Sequence, residues 1–139
     1  MISKTSSIKK LLQKYLRWIF FLVIFICLAF AIREGMTPEF DGVSISPRKV
    51  YRLEYYKASP LQKLWHHNMK MPSFVRLYRI ETETLLGESE VVDMWLNGEL
   101  YWYLEPPLNR VRVGNDIVFK NIPPECTDCP PLTDREMMP

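Results

Sequence analysis

The sequence predicts one membrane-crossing helix followed by a small domain of α+β to mainly β class, an antiparallel β-meander with one short helix. Three observations carry this: an uncharged apolar run near the N-terminus, several segments in which apolar and polar residues alternate, and glycine, asparagine and proline pairs that punctuate them. If the first thirty-odd residues serve the membrane, roughly a hundred remain, enough for one small core.

Residues 1–17 form a basic leader with Lys4, Lys9, Lys10, Lys14 and Arg17 and no acid. The run at residues 18–32 (WIFFLVIFICLAFAI) is free of charge and lies between Arg17 and Arg33. At 1.5 Å per residue it covers about 22 Å, short of a hydrocarbon core of roughly 30 Å. Adding Tyr15 and Leu16, and letting both arginines reach toward the headgroups, brings it to spanning length. Residues 18–33 are therefore expected to be a transmembrane anchor. Ala29-Phe30-Ala31 also fits a signal-peptidase site. The long leader and the apolar residues that continue to Ile32 favour an uncleaved segment.

Five positive charges on one flank, against Arg33 balanced by Glu34 on the other, place the N-terminus in the cytoplasm. The bulk of the chain then lies outside an inner membrane, in a periplasm. Ile8, Leu11, Leu12, Tyr15 and Leu16 recur at helical spacing among the lysines, which predicts a helical leader along the inner leaflet.

Gly35 suits a left-handed helix cap and Pro38 cannot continue a helix, so residues 34–42 are expected to be a linker. The outer domain is placed at residues 43–122. In residues 49–57 (KVYRLEYYK), Tyr51, Leu53 and Tyr55 share one face of a strand, with Arg52 and Glu54 on the other. Ser59-Pro60-Leu61-Gln62 reads as a helix start: Ser59 caps, Pro60 fills the first turn and Gln62 closes a capping box. Leu61, Leu64, Trp65 and Met69 would give that helix one apolar stripe to pack on a sheet, and Pro72 stops it. Residues 73–81 (SFVRLYRIE) are strand-like, and the polar stretch around Gly87 reads as a turn or an exposed strand end.

Residues 91–104 predict a hairpin, because Asn97-Gly98 is the dipeptide best suited to a two-residue type I′ turn. Pairing Leu96 with Glu99 would set Trp95 opposite Leu100 and Asp93 opposite Trp102 on one face. Met94 would face Tyr101, and Val92 would face Tyr103, on the other. Such a hairpin lies between two layers or presents an aromatic face to a partner. A second hairpin is expected from residues 110–113 and 117–120 around Gly114-Asn115-Asp116. The proline-rich tail, residues 123–139, should lie irregularly on the surface or be disordered.

After Ile32 the chain holds thirteen basic against sixteen acidic residues. A mildly acidic domain does not track a phosphate backbone, so nucleic acid is excluded as a partner. Cys126-Thr127-Asp128-Cys129 is the motif with chemical content. Thiol redox chemistry needs a cysteine at a helix N-terminus, and the flanking prolines leave room for a turn alone. A zinc site would need two more ligands, and His66 and His67, adjacent on a helix, diverge by about 100 degrees. A local disulfide between Cys126 and Cys129 is the expectation. Cys27 is a small apolar residue of the anchor.

Asp93, facing Trp102 in an apolar hairpin, would carry a raised pKa, pair with Arg76 or Arg79, or simply sit at a sheet edge. No second carboxylate, phosphate loop or nucleophile elbow accompanies it, so no enzyme, metal or cofactor is expected, and a small-molecule ligand is not expected either. The expected function is a single-pass inner-membrane protein whose periplasmic domain binds another envelope protein, as an accessory subunit of an envelope or secretion complex. Trp95, Tyr101, Trp102 and Tyr103 are its expected contact residues, and Cys27 with Ala29 would let a partner helix approach the anchor. A membrane-anchored immunity or inhibitor protein is the second expectation, and a thiol-redox or metal-binding protein the third.

Overall fold

A computed structural model describes the backbone of residues 2–139 and the side chains of residues 8–139. The chain divides into two units, the second beginning at Pro38. The first is helix α1, Ile2–Met36. From Ile8 onward it is long and apolar enough to cross a membrane, and none of that span is covered by protein. At 1.5 Å per residue its 35 residues measure about 52 Å, well beyond a hydrocarbon core. Gly35 stays inside the helix rather than capping it. The final carbonyls are satisfied instead by the Thr37 hydroxyl, which donates to Arg33 O at 2.7 Å, and by Thr37 N, which donates to Glu34 O at 3.3 Å.

The second unit confirms an α+β arrangement, antiparallel sheets with a short helix inserted between two strands of the meander. Its strands are β1 Glu39–Ile45, β2 Tyr51–Lys57, β3 Pro72–Arg79, β4 Thr84–Glu88, β5 Val92–Asp93, β6 Leu100–Tyr103, β7 Arg110–Val113 and β8 Ile117–Phe119. Helix α2, Pro60–Trp65, joins β2 to β3, and α3, Asp134–Met137, lies in the tail. Sheet A runs β1-β2-β3-β4, with β5 added to the free end of the β3 edge; sheet B runs β6-β7-β8. The linker expected at residues 34–42 is thus mostly taken up by the end of α1 and the start of β1. Only Thr37 and Pro38 lie between them.

Inward-facing Tyr51, Leu53, Val75 and Leu77 of sheet A meet Leu100, Trp102, Val111, Val113 and Ile117 of sheet B, closed by Leu104 and Ile122. This is the face-to-face burial that two half-apolar sheets require. Strand β1 adds nothing to that core: it pairs along β2, with a bulge between Phe40 and Gly42, and leaves Phe40, Val43 and Ile45 exposed. A cross-strand row at one end of sheet A joins Glu39 to Lys57, Lys57 to Ser73 and Ser73 to Val92.

The capping box of α2 forms as the sequence predicts. Gln62 N donates to the Ser59 hydroxyl, and Ser59 N donates to the Gln62 side chain at 2.9 Å. The apolar stripe does not dock, however: the helix buries no residue, and Leu61, Leu64 and Trp65 face outward. With one and a half turns, it serves as a capped corner between β2 and β3.

The hairpin expected at residues 91–104 is absent. Asn97 has φ −126° and Gly98 is not in the left-handed region, so neither takes the positive φ that a type I′ turn demands. Instead, β5 pairs with β3, and Met94–Leu96 coil into a 3₁₀ turn capped by Asp93. β6 takes β7 as its partner. The fully buried amide of Asn97 then spans the gap: Nδ2 donates to Asp93 O at 3.0 Å and to the Asp116 carboxylate at 2.8 Å. Its Oδ1 accepts from Asn115 N at 2.9 Å and Asp116 N at 3.1 Å. The β7–β8 hairpin does form, around Gly114 at φ +56°, where a Cβ would run into Asn97.

The tail lies on the surface as expected, and it is ordered. The Tyr51 hydroxyl donates to Pro123 O at 2.6 Å, and Arg48 donates to Glu125 through its backbone and to Pro130 O through its guanidinium. A disulfide joins Cys126 to Cys129 across a Cα separation of 5.7 Å.

Candidate functional site

The outer face of sheet B carries the most concentrated set of recognition chemistry. Alternation along β6 sends Leu100, Trp102 and Leu104 inward and turns Tyr101 and Tyr103 outward. The same alternation along β7 buries Val111 and Val113 and turns Arg110 and Arg112 outward. Register sets Tyr101 beside Arg112 and Tyr103 beside Arg110. The tyrosine rings stack, with centroids 5.6 Å apart and planes within 3°. Each guanidinium lies 5.4 Å from the centroid of its neighbouring ring.

The groups on this face are held but not neutralised. Arg112 donates through Nε to Gly114 O at 2.6 Å and through Nη2 to Asn115 Oδ1 at 2.5 Å. Arg110 Nε is buried without an acceptor. Among the described residues no carboxylate lies within ion-pair distance of either arginine, whereas Arg48 and Arg52 each have two and Arg76 and Arg79 one each. Glu99 instead accepts from the Tyr101 hydroxyl, a hydrogen bond that pushes the Tyr101 pKa above its ordinary value. Lys120, one residue beyond β8, adds a further exposed cation.

Sheet A offers a contrast in the same chemistry. Its outer face stacks Tyr56 on Phe74, sets Phe40 edge-on to Tyr56 and lays Arg76 over Tyr56 at 4.7 Å. There Arg76 is paired with Glu88, and Arg52 with Glu54 and Glu83, so the face is internally compensated. A groove of about 360 Å³ beside it is lined by Gln62, His66, Phe74, Glu88, Ser89, Glu90 and Val91. Among the described residues, no three of His, Cys, Asp and Glu gather closely enough to hold a metal ion.

Of the four expected contact residues, Tyr101 and Tyr103 sit together on the outer face. Trp102 is 0 % exposed and belongs to the core, so it cannot contact a partner of the folded domain. Trp95 is exposed on the 3₁₀ turn beyond β5, at the end of the other sheet. Arg110 and Arg112 were not foreseen, although their alternation with Val111 and Val113 was visible in the sequence; their place beside the tyrosines depends on β6 choosing β7.

Asp93 also departs from expectation. Its carboxylate is no apolar acid: it accepts from the backbone N–H of Lys70 at 3.0 Å, Met71 at 2.9 Å and Trp95 at 3.2 Å. Those donors, that of Lys70 foremost, hold its pKa below the ordinary carboxylate range. Because the folded value is depressed, the stability this group contributes is present above the unfolded pKa of about 3.9 and lost as pH falls through the folded value. Asp93→Asn should therefore flatten the acid limb of a stability–pH curve while leaving its neutral shape unchanged. Urea midpoints taken from neutral to acid pH check this, and an unchanged acid limb would refute it.

No family model, no curated protein and no solved structure matches the chain.

Proposed function

We propose that the chain is a single-pass inner-membrane protein, with its leader in the cytoplasm and its outer domain in the periplasm, and that this domain binds another envelope protein through the outer face of sheet B. The chain would act as an accessory subunit of an envelope or secretion complex. The observation that carries the reading is the pair of stacked tyrosines beside two guanidiniums that, among the described residues, have no carboxylate partner. Tyrosine and arginine dominate the energetic centres of protein interfaces, and ring-stacked guanidiniums lose little freedom on binding. A helix of membrane-spanning length, ending two residues before the domain begins, supports the anchoring role.

Co-purification from gently solubilised membranes tests this with the tagged full-length protein, beside Tyr103→Ala and Arg110→Glu. Each side chain is partly exposed, so the fold should survive. A stoichiometric partner should accompany the native protein and weaken by about 2 kcal/mol, roughly thirtyfold in affinity, with either variant. Binding should also fall with added salt. Equal recovery with all three proteins would refute the assigned face. The partner's own activity separates a complex subunit from an inhibited toxin or hydrolase.

A further inference from the structure

One end of sheet A exposes a set of large apolar side chains that the core does not use and the sheet B face does not include. Trp65 is 84 % exposed, Leu64 73 %, Leu96 70 % and Trp95 63 %, with Met71 beside them in sequence on the loop that enters β3. Two open indoles and two open leucines in so small a domain call for an occupant.

Sheet register says where this end lies along the chain. Helix α2 and the loop that follows it leave β2 after Lys57 and return at Pro72, and the 3₁₀ turn follows β5, which pairs with Pro72 and Ser73. Asp93 ties the two segments together by accepting from Lys70, Met71 and Trp95 N–H groups. All of this borders the row Glu39–Lys57–Ser73–Val92. Glu39 is also where the chain arrives from the apolar run that ends at Arg33. Six residues, at no more than about 3.5 Å each, keep Glu39 within roughly 20 Å of the point where the chain leaves the bilayer, and the rest of the row follows across the sheet at about 4.8 Å per strand.

Charge complementarity supports the same occupant. Lys63 and Lys70 flank the apolar side chains, and among the described residues neither lies within ion-pair distance of a carboxylate, although Lys70 is near enough to Asp93 to help hold its pKa down. The Lys70 ammonium lies 4.9 Å from the Trp95 ring centroid. An indole with an ammonium on its face is suited to the glycerol level of a leaflet, where the ring meets hydrocarbon and the cation meets phosphate.

We propose that this end of the outer domain rests on the leaflet from which the chain emerges, with Leu64, Trp65, Trp95 and Leu96 in the interfacial layer and Lys63 and Lys70 at anionic headgroups. The proposal rests on residues 18–33 being a membrane anchor.

Tryptophan quenching by brominated lipid tests it on the full chain in nanodiscs of phosphatidylcholine and phosphatidylglycerol, the bromines placed near the headgroup end of the acyl chains. Trp18→Phe leaves Trp65, Trp95 and the core Trp102 as emitters, and Trp65→Phe with Trp95→Phe leaves Trp18 and Trp102. The first protein should lose the emission of two of its three indoles, and adding Lys63→Glu and Lys70→Glu should reduce that loss. The second should lose the Trp18 share. If Trp18 is quenched while Trp65 and Trp95 emit at full strength, the docking proposal is overturned and the anchor stands. If neither protein is quenched, the anchor reading falls and the proposal falls with it.

Discussion

Asn97→Asp should destabilise the β-sheet domain by about 3–5 kcal/mol at neutral pH, the cost expected of an unpaired group and a charge in a buried network. The substitution keeps the shape of the side chain and keeps Oδ1 as the acceptor for Asn115 and Asp116 N–H. What it removes are the two Nδ2 donors to Asp93 O and the Asp116 carboxylate. It also sets a second carboxylate, fully out of solvent, against Asp116. Repulsion and burial would raise the folded pKa of the new acid. For an acid with a raised folded value, the penalty is absent below the unfolded pKa of about 3.9 and grows to its full size above the folded value. Acidification should therefore bring the variant back toward the wild type by relieving the new acid, whereas protonation of Asp93 removes stability. Urea unfolding of detergent-solubilised protein, followed by tryptophan emission, reads both effects. A midpoint equal to the wild type at neutral pH would mean that Asn97 does not join the two sheets.

That network also explains which parts of the fold were legible in the sequence. Strands β2, β7 and β8 were readable because apolar residues alternate toward a buried face, β3 because its apolar and β-branched run lies between Pro72 and the turn after Arg79, and the Ser59–Gln62 capping box is local by nature. Strand β1 was lost in the expected linker, since its bulge breaks the alternation and its side chains bury nothing. The Asn97-Gly98 turn signal was overruled by partners far away in sequence: Lys70 and Met71 fix Asp93, and Asp116 fixes Asn97. Three or four such hydrogen bonds outweigh a turn preference of order 1 kcal/mol. The candidate site was half legible for the same reason. Tyr101 and Tyr103 stand out within β6, whereas Arg110 and Arg112 join them only through a strand pairing that the turn signal concealed.

Trp102→Ala should cost about 3–5 kcal/mol of stability, while Tyr101→Ala and Tyr103→Ala cost under about 1 kcal/mol each and act on binding instead. The three residues are consecutive, so the contrast depends on strand alternation alone. Trp102 lies at 0 % exposure among Leu53, Val75, Leu77 and Val111, with residues of both sheets around it, so truncation opens a cavity that neither sheet can collapse into. Tyr101 and Tyr103 stand half-exposed against each other, and their removal opens no void. Trp102→Phe sharpens the test. The Trp102 Nε1–H is buried with no acceptor, so phenylalanine forfeits packing volume but also relieves an unsatisfied donor. It should cost less than half of the alanine change. Thermal melts of the four variants, followed by circular dichroism of the β-signal, give the order directly. Equal melting temperatures for Trp102→Ala and Tyr101→Ala would reverse the assignment of inner and outer faces along β6. The tyrosine–arginine face would then have to be sought among the side chains that pack the core.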